Sequence, residues 1–121
     1  MIPPSSPSLS ILVVDDEPMI VKTFTRVLRG HDVDVAKSIA EARPLTKVNR
    51  YDMVVVDRRL GDGDGSTILD GCRCAVRVVM SGAPPDAALA RRVESGELLW
   101  LDKPFELGTI RDLIGQAIAS K

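Results

Sequence analysis

The chain has 121 residues, of which 45% are hydrophobic, and its 16 basic and 17 acidic residues give a formal net charge of −1. This length corresponds to one domain, and the apolar fraction suffices for a buried core, which argues against intrinsic disorder. The balanced charge argues against direct nucleic-acid binding, which usually requires a basic excess. The apolar runs are far shorter than the roughly 20 residues of a membrane-spanning helix, so no membrane partner is expected.

The amino-terminal residues and the two cysteines indicate in which cellular compartment the protein is expected. Residues 1–8 lack the basic segment and apolar stretch of a secretory signal, and we expect a flexible tail there, ahead of a domain at 9–121. Cys72 and Cys74 are the only cysteines. Residues this close in sequence seldom have side-chain directions that suit a disulfide. We therefore expect free thiols that act as small apolar residues in a reducing compartment, and a cytoplasmic protein.

Five short apolar runs alternate with segments that have helical character. The runs lie at 11–14, 33–36, 53–56, 76–80 and 98–101. The first and third are unbroken, which is typical of strands buried on both faces of a parallel sheet. The second alternates between apolar and polar residues, which suits an edge strand with one face in water.

The first two helices carry recognisable end signals. Pro18 fits the first turn of helix 1, and Gly30 would follow its last turn as a C-cap. Ser38 and Glu41 have the spacing of a capping box at the start of helix 2. Pro44 falls inside that helix and predicts that it is short or kinked.

The last three helices differ in length. Helix 3 has little room between Gly65 and the fourth run, so we expect it to be shortened. Helix 4 is expected to open at Pro84-Pro85-Asp86 and to reach Gly96. Helix 5 has an apolar stripe formed by Leu107, Ile110, Leu113, Ile114, Ala117 and Ile118. Strands alternating with helices predict an α/β fold with an open, doubly wound, five-stranded parallel sheet, because five units are too few for an eight-stranded barrel.

Polar side chains follow four of the five runs. Asp15 and Asp16 follow the first, Asp57 the third, Ser81 the fourth and Lys103 the fifth. Ligands of doubly wound sheets bind beyond the carboxyl ends of the strands, so these groups are expected to meet. Each alone has a structural explanation, such as capping a helix or ending a strand in a turn.

The combination predicts phosphoryl chemistry. Three neighbouring carboxylates repel each other unless a cation binds, and oxygen ligands with room for water favour Mg²⁺. Lys103 and Ser81 would then contact phosphoryl oxygens as a charge and a hydrogen-bond donor. Asp57 lies centrally and is the expected nucleophile, which would form an aspartyl phosphate.

The sequence resembles the receiver domain of bacterial two-component response regulators over roughly residues 9–120. The ordered marks are VVDDEP at 13–18, VVD at 55–57, DG at 64–65, VMSG at 79–82 and KPF at 103–105. The resemblance implies the flavodoxin-like strand order 2-1-3-4-5. It also implies that the chain catalyses at most its own phosphorylation and dephosphorylation and is otherwise not an enzyme.

The resemblance assigns roles to individual residues. Asp57 would accept phosphate from a histidine kinase or a histidine phosphotransfer protein. Asp16 and Asp57 would ligate Mg²⁺ directly with the backbone carbonyl of Arg59, while Asp15 would act largely through water. Ser81 and Lys103 would hold the phosphoryl oxygens.

The same resemblance implies a conformational switch. Movement of Ser81 and of an aromatic residue on strand 5 would remodel a face formed by helix 4, strand 5 and helix 5. A downstream partner, unidentified from the sequence, or a second copy of the chain would bind there. Trp100 occupies the aromatic position, where the family usually has Tyr or Phe, and Gly61 stands where the family commonly has Pro.

Two alternative functions remain at this point. Besides the phosphoacceptor receiver domain, the sequence leaves open a receiver-like docking domain without a phosphorylation switch and a Mg²⁺-dependent phosphohydrolase of the haloacid dehalogenase type. Trp100 and the short helix 3 favour the docking alternative, whereas the complete set of acids opposes it. The phosphohydrolases typically carry a second Asp two residues after the nucleophile, where this chain has Arg59.

Overall fold

A computed structural model describes residues 8–121, and the tail expected at residues 1–8 lies outside the described residues except for the exposed Ser8. Within the described range, five parallel strands form one sheet in the order β2-β1-β3-β4-β5. The strands are β1 (Ser10–Val14), β2 (Asp32–Ala36), β3 (Tyr51–Asp57), β4 (Cys74–Ser81) and β5 (Leu99–Asp102). The predicted doubly wound sheet and its strand order are therefore confirmed.

Four α-helices cover the sheet in the part of the chain that the structure describes. They are α1 (Pro18–Val27), α2 (Ile39–Val48), α3 (Ala87–Glu94) and α4 (Leu107–Ala119). Helices α3 and α4 correspond to predicted helices 4 and 5. None of the helices over residues 8–121 is long and apolar enough to span a bilayer.

The sheet separates two apolar layers. In β1, Ile11 and Val13 belong to the layer under α1 and α4, whereas Leu12 and Val14 belong to the layer under α2 and α3. This division follows from the alternation of side chains along a strand. All four side chains are fully buried, as the unbroken apolar run predicts for a central strand with both faces covered.

Predicted helix 3 is a single short 3₁₀ helix at Gly65–Leu69. A small antiparallel hairpin, which the sequence did not reveal, precedes it and pairs Arg59–Leu60 with Gly63–Asp64. Only four residues, 70–73, separate the end of the 3₁₀ helix from the start of β4, which agrees with the expected lack of room. The Asp64 carboxylate caps the 3₁₀ helix by accepting a hydrogen bond from the Ser66 backbone N–H at 2.9 Å.

Helix ends follow the predicted signals with local differences. Ser38 Oγ accepts the backbone N–H of Glu41 at 3.0 Å, but the Glu41 carboxylate accepts from Lys37 N at 3.2 Å rather than from Ser38. Helix α2 continues through Pro44. Helix α1 ends at Val27, earlier than expected, and Gly30 lies in the following turn at φ +96°.

The predicted stripe of the last helix is only partly buried. Ile110, Leu113 and Ala117 enter the core, whereas Leu107 and Ile118 are 49% and 37% exposed. The buried residues recur at spacings of three and four, which a helix places on one face. Leu107 and Ile118 lie near the two ends of the helix.

Candidate phosphoryl and metal site

The structure brings the predicted polar residues together at the carboxyl edge of the sheet. Asp15, Asp16 and Asp57 each offer a carboxylate oxygen, and these three oxygens lie within 4.8 Å of one another. Lys103 Nζ lies 3.2 Å from Asp57 Oδ2 and 3.2 Å from Asp15 Oδ2. Residues at the carboxyl ends of three separate strands thus meet because parallel strands end at a common edge.

Asp15 is the most buried member of the cluster, with no exposed surface. Burial raises the pKa of its carboxyl group, because desolvation outweighs a hydrogen bond from the Glu17 backbone N–H and the attraction of Lys103. The pKa of Lys103 is also raised, because Asp15 and Asp57 together outweigh the desolvation that opposes its charge. Lys103 therefore remains a cation between two carboxylates.

A cavity of about 520 Å³ opens onto this cluster. Its walls include Asp16, Asp57, Arg59, Ser81 and Lys103. Ser81 Oγ accepts the Ala83 backbone N–H at 3.1 Å, which leaves its hydroxyl hydrogen able to donate. The Arg59 backbone N–H donates to Asp57 Oδ1 at 3.3 Å, so this bond helps to orient the central carboxylate.

The donor set suits a hard divalent cation. All three acidic groups present oxygen, and Asp16 is exposed whereas Asp15 and Asp57 are buried. Mg²⁺ prefers a few carboxylates and keeps several waters, which an open cavity with one exposed acid can accommodate. The residues present therefore fit Mg²⁺.

Two residues near the site received no role from the sequence. Glu17 lines the cavity, and its carboxylate lies 3.4 Å from Lys103 Nζ. Arg58 pairs with Asp86 at 2.6 Å and with Asp64 at 3.4 Å, so it ties the end of β3 to the cap of α3. The adjacency of Glu17 to Asp15-Asp16 was a usable signal, whereas the partners of Arg58 depend on tertiary structure.

Trp100 lies on β5 and is half-buried against the layer under α2 and α3. Its Nε1 is the buried side-chain polar atom without a hydrogen-bond partner among the described residues. No polar contact within residues 8–121 therefore holds the indole in its present position. An unpaired buried donor also costs stability.

Comparison with known proteins assigns the chain to a family of related proteins. Residues 11–115 match the model of the response regulator receiver domain. The acid tolerance regulatory protein ActR of Sinorhizobium medicae is 33% identical over 110 residues, which is 86% of this chain and 57% of ActR. The DNA-binding response regulator MtrA of Mycolicibacterium smegmatis is 36% identical over 79% of this chain and 44% of MtrA.

The chain thus spans about half the length of these curated relatives. Among solved structures, the non-phosphorylated HemR receiver domain from Leptospira biflexa superposes with a TM-score of 0.75 at 26% identity, covering 90% of this chain and 93% of that one. The family match extends over most of the chain and includes all the strand-end residues described above. The chain belongs to the response regulator receiver domain family.

Proposed function

We propose that this chain accepts a phosphoryl group on Asp57, with Mg²⁺ as cofactor, and thereby controls binding to another protein. The supporting observation is the convergence of three carboxylates within 4.8 Å with Lys103 Nζ at 3.2 Å from Asp57. Asp57 is the central carboxylate. It is surrounded by the buried Asp15, the exposed Asp16 and the cationic Lys103, which together provide the charge balance that phosphoryl transfer requires.

Each side chain has a distinct part in this proposal. Asp57 Oδ attacks phosphorus, and the bond between phosphorus and the donor's leaving group breaks as the new P–O bond forms. Lys103 turns from Asp57 to the phosphoryl oxygens as a positive charge, and Ser81 donates its hydroxyl hydrogen to one of them. The Asp15 carboxylate accepts the Glu17 backbone N–H and remains beside Lys103.

Asp16 and Asp57 would hold the cation, together with the Arg59 backbone carbonyl and with Asp15 acting largely through water. When bound, Mg²⁺ supplies positive charge that offsets the repulsion between the carboxylates and the incoming phosphate.

The cytoplasmic location expected from the sequence stays a prediction.

The signalling role extends from the same site. The donor would be a histidine kinase or a histidine phosphotransfer protein, and the output an unidentified downstream protein, output domain or second copy of the chain. We propose that the responsive face is formed by α3, β5 and α4. Ser81 and Trp100 lie on β4 and β5, whose pairing joins Ser81 to Asp102, so a shift at Ser81 can be passed to this face.

Labelling with a small phosphodonor tests the acceptor. Incubation with acetyl phosphate and Mg²⁺ should add one phosphoryl group to the wild-type chain, measured by intact-mass spectrometry. Asp57→Asn should abolish this addition, because an amide is a poor nucleophile for phosphorus. Asp102→Asn, an exposed aspartate at the end of the neighbouring β5, should label like the wild type.

Other outcomes would point to the alternative functions. Absence of labelling in the wild type, with no Mg²⁺ binding by calorimetry and no change in Trp100 fluorescence with beryllofluoride, would support a docking domain without a switch. Steady turnover of small phosphate esters would support a phosphohydrolase. Labelling that persists in Asp57→Asn would assign the nucleophile to another residue.

A further inference from the structure

Cys72 and Cys74 lie at the amino-terminal edge of the sheet, opposite the proposed phosphoryl site. Cys74 is the first residue of β4, and Cys72 precedes it by two positions. Both are free thiols, and their Sγ atoms lie 2.7 Å apart. The two side chains therefore converge, which differs from the divergence expected from their separation in sequence.

The local backbone explains this convergence. Gly71 has a φ of +79°, which turns the chain sharply after the 3₁₀ helix, so Cys72 is not yet part of the strand. The Arg73 carbonyl accepts the Tyr51 N–H at 3.0 Å, and the Cys72 carbonyl accepts from Arg77 Nη2 at 3.1 Å. These bonds fix the position of the backbone between the two cysteines.

The two thiols have unequal surroundings. Cys72 is buried and packs in the layer under α2 and α3, whereas Cys74 is half-buried. Hydrogen bonding with Cys74, assisted by the positive charge of Arg77, lowers the pKa of Cys72 despite its burial. The pKa of Cys74 is raised by the same contact and by burial, so Cys72 is the thiol that ionises first.

A separate cavity gives access to this pair. It has a volume of about 330 Å³, and Cys72 forms part of its wall. Three cationic side chains, Arg43, Lys47 and Arg73, line the same cavity. Asp70 lines the cavity as well, and its negative charge opposes ionisation of Cys72. A small polar oxidant can therefore approach Cys72 through a cavity whose charged lining is mostly cationic.

We propose that Cys72 and Cys74 form a redox-active dithiol that hydrogen peroxide converts reversibly into an intramolecular disulfide. The Cys72 thiolate attacks one peroxide oxygen, the O–O bond breaks, and a sulfenic acid forms as hydroxide leaves and takes up a proton. Cys74 sulfur then attacks Cys72 sulfur, the S–O bond breaks, and water leaves with the proton of Cys74. One peroxide is reduced to two waters as two thiols become one disulfide.

The dithiol acts independently of phosphorylation. The cysteines and Asp57 lie at opposite edges of the sheet, since Cys74 begins β4 and Asp57 ends β3. Asp57→Asn should therefore keep the redox behaviour, whereas loss of the cysteines should leave phosphoryl labelling intact.

Thiol counting on the full chain tests the dithiol directly, because no other cysteine is present. The reduced wild type should take up two molecules of N-ethylmaleimide, and after treatment with equimolar peroxide it should take up none, with no disulfide-linked dimer on a non-reducing gel. Dithiothreitol should restore both sites, which distinguishes a disulfide from sulfinic acid. Intact-mass spectrometry should show the loss of two hydrogen atoms and no added oxygen.

Single-cysteine variants assign the order of the steps. Cys74→Ser should stop at the sulfenic acid of Cys72, which dimedone traps, whereas Cys72→Ser should react at least about 10-fold more slowly, because Cys74 does not line the cationic cavity through which peroxide approaches. Two thiols that stay alkylatable in peroxide-treated wild type would overturn the proposal. Disulfides formed only between chains, seen as dimers on non-reducing gels, would overturn it as well.

Discussion

Gly65 shows how a single missing side chain positions the candidate nucleophile. A Cβ atom added at Gly65 would overlap the backbone carbonyl oxygen of Asp57 and crowd Leu60 Cδ1 at 3.1 Å. The Gly65 N–H donates to the Arg58 carbonyl at 2.7 Å, which closes the hairpin against the end of β3. The pair Asp64-Gly65 was recognised in the sequence as a family mark, but the requirement for glycine there comes from this close approach.

Gly65→Ala should destabilise the fold by about 2 kcal/mol or more, because the neighbour is backbone and the chain must move to make room. Urea unfolding followed by circular dichroism measures this change. Gly61→Ala is the matched control in the same hairpin, since a Cβ there has no atom within 4 Å. Equal unfolding midpoints for the two variants would show that the overlap is relieved without cost.

At the scale of the element, α2 tolerates a residue that normally ends helices. The helix runs from Ile39 to Val48 with Pro44 in its interior, so the Ala40 carbonyl has no N–H partner four residues later. Ser38 caps the amino end, and Ala42 and Leu45 pack against the sheet layer. Tertiary packing therefore maintains a helix whose local sequence disfavours it.

Pro44→Ala should raise the free energy of unfolding by about 2 kcal/mol, because it restores the helical hydrogen bond and removes the ring's clash with the preceding turn. Part of the gain is lost, since proline also restricts the unfolded chain. The thermal midpoint provides the measurement. Pro18→Ala is the control, because Pro18 lies at the first helical position and no hydrogen bond is missing there. A Pro44→Ala midpoint no higher than that of Pro18→Ala would contradict this explanation.

In the molecule as a whole, Lys103 connects the segment after β5 with the segment after β1. Its Nζ contacts Asp15, 88 residues earlier in the chain, and also Asp57 and Glu17. Two of these carboxylates are buried. The same groups that would bind phosphate therefore also balance charge in the metal-free protein, which links the stability of the fold to the occupancy of the site.

Lys103→Ala should lower the free energy of unfolding by about 3 kcal/mol in EDTA, because it leaves buried carboxylates without their cation. Mg²⁺ should restore part of this loss by supplying positive charge at the same acids. Lys121→Ala is the control, since Lys121 is 42% exposed and lies 3.8 Å from Asp52. Its effect should stay below about 1 kcal/mol and should not depend on Mg²⁺. A Mg²⁺-independent loss in Lys103→Ala would argue against a shared cation site.

The alternation of strands and helices, the doubly wound sheet and the residues at the strand ends could all be predicted from the amino-acid pattern. These features follow from periodicity and from the rule that parallel strands end together, and both are local or topological. The hairpin that begins at Arg59 and the early end of α1 were not predicted, because short turns depend on contacts between segments.

The contacts between distant side chains, by contrast, could not be predicted before the chain was seen folded. The overlap at Gly65, the pairing of Arg58 with Asp86 and the convergence of Cys72 with Cys74 depend on backbone positions that no periodicity encodes. The physical reason is the range of the interactions involved. Hydrophobic alternation is written along the chain, whereas close packing and ion pairs arise between distant segments once the sheet has assembled.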